Sequence, residues 1–341
     1  MVKDAKATER YDTVIVGAGP IGLACGVEAQ KRNLNYLILE KGCLVNSIFH
    51  YPANMQFFST SDRLEIGKVP FASYRDKPTR REALEYFRRV KTFWELKVNT
   101  YEQVTAIKNN GGGFTVTTNK NSYPTQTLII ATGFYDTPNR MNIPGEDLPK
   151  VSHYFSEGHP FADQKVVVVG GGNSAVDAAL ETFRRGAEVT LVVREPTLKK
   201  EVKYWVRPDL ENRISEGSIA ALFNASLERI HEDRVDIRTE SGTITIANDF
   251  VLAMTGYRPD YSILKNVGIS IGSGPENLPQ FDPDNHETNV AGIYLAGVLC
   301  GGLNTAVWSI ENSRFHPEKI FSHLPRRLSG QGSRAAGEDV K

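Results

Sequence analysis

The chain carries one local pattern twice: a short apolar strand, a glycine turn, a helix and a second apolar strand that ends at a charged residue. The first copy reads YDTVIV (Tyr11–Val16), GAGPIG, the helix LACGVEAQKRN and YLIL (Tyr36–Leu39), closing on Glu40. The second reads KVVVV (Lys165–Val169), GGGNSA, the helix VDAALETFRRG and VTLVV (Val189–Val193), closing on Arg194. Continuous apolar runs this short, joined through a tight turn to a helix, suit parallel strands buried on both faces. Two such units predict an α/β protein with two Rossmann-type dinucleotide-binding domains.

Each turn has a chemistry that its residue types supply. In the first, Gly17 makes the turn, Gly19 (followed by Pro20) lets a pyrophosphate approach the backbone, and Gly22 permits close packing of helix on strand. The helix N-terminus offers N–H groups and the positive end of its dipole to phosphates. Glu40 would accept hydrogen bonds from ribose hydroxyls. The second turn has Gly170, Gly172 and Ala175, the GxGxxA form, with Asn173 and Ser174 between them. Its second strand ends in Arg194, with Lys199 close behind, where an NAD site keeps an acid. Cations there remove repulsion toward a 2′-phosphate and give it partners, so NADPH is favoured, although Glu195 tempers this. Two complete units in one chain point to a flavin and a nicotinamide, cofactors that carry the redox chemistry while the protein orients them.

Elsewhere, Thr79-Arg-Arg-Glu82 reads as a capping box opening a helix, and Gly111–Gly113 as the turn of a hairpin. Leu128–Ala131 reads as a buried strand running into Ala131-Thr132-Gly133, Phe250–Met254 as a strand running into TGYRPD, and Gly292–Gly297 (GIYLAG) as a strand feeding a last helix around TAVWSIENS. Lys plus Arg and Asp plus Glu are 40 each, so the net charge is zero and no electrostatic footprint for nucleic acid or an anionic membrane exists. No apolar run approaches the roughly 20 residues of a membrane span, and MVKDAKATER has no apolar signal segment. Three scattered cysteines argue against a disulfide scaffold, and a cytoplasmic protein is expected. The seven histidines show no metal-ligand spacing, so no metal is expected.

The motifs GAGPIG, ATG, GGGNSAVDAA, TGYRP and GIYLAG, in this order, resemble the low-molecular-weight thioredoxin reductase-like flavoproteins from about Tyr11 to Pro325. The segments YPANMQFFSTSDRLEIGKVPF, TRREALEYFRRV, GYRPDYSIL and HETNVAGIYLAGV bring the chain nearer to the bacillithiol disulfide reductase family. The resemblance implies an FAD domain in two pieces, 1–137 and 259–325, with an NADPH domain inserted between them at 138–258; the composition of RRLSGQGSRAAGEDVK, with little to bury, predicts a disordered tail at 326–341. FAD would then contact the first glycine turn, Glu40, Lys41, Asn54, Met55, Ala131, Thr132, Gly133, Gly297, Val298 and the pair Asn304 and Thr305, which as an ordinary helix N-cap would look the same. NADPH would contact the second turn, Arg194, Lys199 and Gly256. Val298 stands where thioredoxin reductases place an Asp.

The chain departs from those reductases in its thiols. It has no CxxC, so a dithiol relay is excluded, and Ile21 stands in the first glycine turn where many bacillithiol-type relatives carry Cys. Cys25 fits a small core position, and Cys43 falls in the loop after Glu40. Cys300 sits at a turn expected to open a helix toward the flavin, which would lower its pKa, against a plain packing role. No catalytic residue is assigned, and Cys300 is the one candidate. His153 is weighed as a proton donor against a surface or hinge role. The implied activity is NADPH-dependent reduction of a small-molecule, bacillithiol-like disulfide by a homo-oligomer, with a small redox protein as a further partner. Rival readings are a ferredoxin- or flavodoxin-NADP reductase, a flavin monooxygenase and, from another class, a flavin redox sensor without turnover.

Overall fold

The computed structural model describes residues 10–329, and these separate into two compact units. The first gathers the chain up to Phe49, Ser59–Thr137 and the chain from Arg258 on; the second gathers His50–Phe58 and Pro138–Tyr257. One unit is therefore inserted into the other, and the inserted unit also takes His50–Phe58 from within the 1–137 stretch.

The first unit begins with β1 (Tyr11–Val16), α1 (Pro20–Lys31) and β2 (Tyr36–Leu39). Proline at the head of α1 suits the fixed φ of a first helical residue. Every residue of α1 from Ile21 to Val27 is buried, so this helix lies inside the domain rather than on its surface. A single turn, α2 (Asn46–Phe49), precedes α3 (Arg80–Phe93), which opens with the expected capping box: Glu82 N–H donates to the Thr79 hydroxyl and Thr79 N–H to the Glu82 carboxylate. After α3 come β3 (Val98–Asn99), β4 (Val104–Asn109), β5 (Phe114–Thr118) and β6 (Ser122–Ile130).

The inserted unit holds β7 (Val151–Ser152), β8 (Lys165–Val169), α4 (Asn173–Arg184), β9 (Glu188–Val192), α5 (Arg207–Ser215) and β10 (Ala220–Leu222). A meander follows, β11 (Ser226–Ile230), β12 (Arg234–Thr239) and β13 (Gly242–Ala247), and then β14 (Phe250–Ala253). Strands β10-β9-β8-β14-β7 form one parallel sheet, and β11–β13 a separate antiparallel one. Val166, Val168, Leu191 and Leu252 pack with Ala175, Ala178 and Ala179 of α4 in one core; Val167 and Val251, on the other face, pack with Leu227, Val235 and Ile237 of the meander.

The chain then returns with α6 (Ser262–Asn266), β15 (Ile293–Leu295), a single turn α7 (Ile310–Ser313) and α8 (His316–Leu328). The first unit's sheet runs β3-β2-β1-β6-β5-β4. β6 changes partner along its length: Ser122–Thr125 pair antiparallel with β5, and Leu128–Ile130 pair parallel with β15.

Two expectations need correction. TAVWSIENS contributes only the single turn α7, and the last long helix starts later, at His316. That helix also passes Pro325 and runs to Leu328, so residues 326–328 of the expected tail are helical; 330–341 lie outside the described residues. Pro325 removes one N–H near the helix end, while Arg326 and Arg327 in the last turn suit the dipole and Arg327 pairs with Glu287 at 2.9 Å.

Candidate functional site

In the first unit the strands end level. Val16 is in register with Leu39 and Ile130, and Ile130 with Leu295. The turns that follow β1, β2, β6 and β15 therefore emerge at one edge, the carboxyl end of parallel strands, where α/β sheets bind ligands. They carry Gly17–Gly22, Glu40–Lys41, Ala131–Gly133 and Gly297–Val298. Gly17 adopts φ +106° and a side chain there would stand 2.5 Å from the Ala131 carbonyl oxygen, while one on Gly22 would collide with the Gly17 carbonyl. Gly19 and Gly133 differ: an added Cβ at either would meet nothing within 4 Å. These two bare positions border open space beside the N-terminus of α1, the cradle that a pyrophosphate requires. Ile21 packs against Gly297, with only 3.4 Å to a Cβ built there, so the two turns are in contact.

Glu40 is 6% exposed. Its Oε2 accepts from Ala18 N–H at 2.8 Å and its Oε1 from Gly42 N–H at 2.9 Å. Burial pushes its pKa up, and those two N–H groups restrain the rise. Each carboxylate oxygen keeps a further lone pair for a hydroxyl donor. Lys41 pairs with Asp136 at 2.8 Å.

The other residues expected at FAD have these surroundings. The segment bearing Asn54 and Met55 belongs to the inserted unit: Ala53 N–H donates to the Ser156 carbonyl at 2.7 Å, and the Asn54 amide to Glu181 of α4 at 2.7 Å. Asn304 donates to Glu276 at 3.0 Å, and no helix starts at Asn304 or Thr305, which corrects the N-cap alternative.

In the inserted unit Val169 is in register with Val192 and Ala253, and Gly170 turns the chain at φ +131°. Gly170 abuts the Met254 carbonyl and Ala175, and Gly172 caps α4 with only Lys199 Cδ, at 3.8 Å, near an added Cβ. Ser174 is exposed at this end of α4. Gly256, at φ +88°, accepts from Asn139 N–H at 2.9 Å in the turn after β14. The sequence reading missed a strap across the same helix end. Asn173 accepts from Lys203 N–H at 2.8 Å and donates to the Glu201 carbonyl at 3.0 Å, Lys199 N–H donates to the Gly171 carbonyl at 2.9 Å, and the Lys203 ammonium pairs with Asp177 at 2.7 Å. The strap fixes Lys199 over the glycine turn. The Arg194 side chain is 83% exposed, tethered only to Glu195 at 3.0 Å, and so is free to swing toward an anion.

Cys300 does not open a helix. It lies in a 3₁₀ turn, Gly297–Gly301, and burial pushes its thiol pKa up, opposite to the reactive expectation. The fold sets it beside two histidines that are 14 and 16 residues away in sequence: Sγ is 3.7 Å from His286 Nδ1 and 3.9 Å from His316 Nδ1. His153 is in the inserted unit, with Nε2 3.3 Å from the buried Glu146 carboxylate; burial lowers its pKa and Glu146 opposes that shift.

Comparison with known proteins places these features in context. The family described as pyridine nucleotide-disulphide oxidoreductase matches residues 14–297. The bacilliredoxin reductase Bdr of Bacillus subtilis is 44% identical over 316 residues, covering 92% of this chain and 97% of that protein. Among solved structures, the bacillithiol disulfide reductase Bdr (YpdA) from Staphylococcus aureus superposes with a TM-score of 0.91 at 41% identity, covering 95% of this chain and 99% of that one. The protein of the same name from Bacillus cereus gives 0.91 and 41%, covering 94% and 100%.

Proposed function

Because this chain belongs to the pyridine nucleotide-disulphide oxidoreductase family, we propose that it is an NADPH-dependent FAD enzyme reducing a low-molecular-weight thiol disulfide of the bacillithiol class. The observation that carries the reading is similarity above 40% along nearly the whole chain to proteins named for that activity, joined to two intact glycine-turn units.

The residues fit both dinucleotides. Bare Gly19 and Gly133 leave room for the FAD pyrophosphate at the head of α1, and Glu40, held by two backbone N–H groups, presents its remaining lone pairs to ribose hydroxyls. Gly172 and the strap-held Lys199 receive the NADPH phosphates, and Arg194 closes on the 2′-phosphate. Bound there, FAD would supply hydride acceptance from NADPH and two-electron delivery to a disulfide. Buried Cys25 and Cys300 and the loop residue Cys43 form no disulfide and no CxxC, so the chain supplies positioning rather than a thiol relay.

The relatives' names distinguish two acceptors, a bacilliredoxin and bacillithiol disulfide. We assign the small disulfide as substrate and treat the redox protein as a competing acceptor. The test follows NADPH consumption with bacillithiol disulfide, bacilliredoxin disulfide, thioredoxin and ferredoxin in parallel. Turnover with bacillithiol disulfide above the others is expected. Turnover only with ferredoxin or only with bacilliredoxin would overturn the assignment.

A further inference from the structure

The His286, Cys300 and His316 side chains converge in the first unit from three separate elements: the loop before β15, the 3₁₀ turn after it, and the first residue of α8. All three are buried, at 2%, 3% and 2% exposure, and one donor atom from each lies within 4.8 Å of the others. Among the described residues this is the one group of that kind. The proposed redox function does not use it.

We propose that His286, Cys300 and His316 form a thiolate–imidazole site for a zinc-class cation. Around tetrahedral zinc, with Zn–S about 2.3 Å and Zn–N about 2.0–2.1 Å, sulfur and nitrogen ligands stand about 3.6 Å apart. The two observed sulfur–nitrogen separations, 3.7 and 3.9 Å, require a contraction of only a few tenths of an ångström. Two imidazoles and a thiolate are also the donor set that zinc and softer cations prefer over magnesium or calcium. The rings are held in place: Phe281 stacks on His286 at 5.3 Å, and Trp308 meets His316 edge-on at 4.4 Å. His316 Nε2 is buried without a hydrogen-bond partner, while its Nδ1 faces Cys300 and accepts from Gly297 N–H.

Binding exchanges existing contacts. His286 Nδ1 lies 3.0 Å from the Leu295 carbonyl, and His316 Nδ1 accepts from Gly297 N–H at 3.1 Å. The cation displaces both; His286 takes the Nε2–H tautomer, and the Cys300 proton leaves to solvent. A divalent ion then replaces one proton on the thiol, and the site gains a single positive charge. The charges acting on His286 from nearby are Lys319 and Asp282, opposite in sign. Three protein ligands leave the fourth position for water.

The experiment uses the purified chain with its FAD. Cadmium is titrated into the metal-free protein while the sulfur-to-cadmium charge-transfer band and the melting temperature are followed, and the zinc complex is examined by X-ray absorption. We expect one cadmium per chain, a raised melting temperature, and a zinc shell with one sulfur and two imidazole nitrogens. Cys300→Ser should abolish the band, His286→Gln and His316→Gln should weaken binding at least about tenfold, and Cys43→Ser should bind as the parent does. A band that survives in Cys300→Ser and vanishes in Cys43→Ser overturns the site. So does a wild-type zinc shell without sulfur, a reading that stands even if a histidine variant does not fold.

Discussion

The two glycine-turn units share a backbone and differ in what they set beside it. Both turn the chain with a glycine in a region closed to most side chains, both cap the following helix with a glycine, and both lie at the level carboxyl ends of parallel strands. Yet the first ends in Glu40, buried and fixed by two backbone bonds, and the second in Arg194, extended into solvent and able to move. The first helix is buried along its opening turns; α4 buries one face and carries the strap of residues 199–203 over its head. Under the proposed function the turn would receive a pyrophosphate in either case. Under that reading the partner at the end of the second strand would determine which dinucleotide, a preformed acid suiting a resident cofactor and a mobile cation one that comes and goes.

The comparison is broken most severely at its bare glycines. A Cβ at Gly19 meets nothing within 4 Å, so Gly19→Val should fold, purify colourless and oxidise no NADPH. Yellow protein of normal flavin content would move FAD elsewhere. Gly172→Val should remain yellow while kcat/KM for NADPH falls by about a hundredfold or more, a displacement of the reacting partner rather than a loss of flavin. Equal loss of flavin in both variants would erase the distinction between the units. Arg194→Ala should raise KM for NADPH by roughly 10- to 150-fold, a charge-assisted contact of about 1.5–3 kcal/mol, with little change for NADH. Equal change for both coenzymes would remove Arg194 from the 2′-phosphate.

The smallest effect concerns pH. Burial raises the Glu40 pKa in the free protein, and in the proposed complex the FAD hydroxyls would donate to the charged carboxylate. As pH falls through that raised value the group takes a proton and one oxygen stops accepting, so flavin affinity drops toward acid. Glu40→Gln should weaken FAD about tenfold near neutrality and flatten that acid limb. An unchanged limb in the variant would assign it to another group.

The sequence displays what is local. Both turns, the capping box at Thr79 and the apolar runs of β1, β2, β8 and β9 are short-range patterns, and they stand in the structure within a residue or two of where they were read. The meander β11–β13 passed unread although β12 (RVDIRT) and β13 (GTITIA) both alternate polar and apolar residues; β13 is nonetheless almost wholly exposed. TAVWSIENS misled because Thr305 and Ala306 form a turn, Val307 is exposed, and only Ile310–Ser313 is helical. The cluster at His286, Cys300 and His316 could not be found from spacing, since gaps of 14 and 16 residues match no metal motif; only the return of the chain through β15 brings those side chains together. The strap over α4 was hidden for a similar reason, being made mostly of backbone groups.

The change of partner along β6 has a consequence for how the chain reaches this state. Leu128 waits for Ile293, a pairing that spans the whole inserted unit, and long-range pairings of this kind slow folding because the intervening chain must first be confined. The insertion shortens that wait. Thr137 and Arg258, the two ends where it joins the host, are bonded to each other, with Arg258 N–H donating to the Thr137 carbonyl at 2.9 Å, and the next residues inward, Pro138 and Tyr257, form an antiparallel bridge. Once the inserted domain has folded, it delivers the returning chain within one hydrogen bond of where the chain left. During synthesis most of that domain emerges before Ile293 does, so a large loop is already closed when β15 arrives to complete the host sheet.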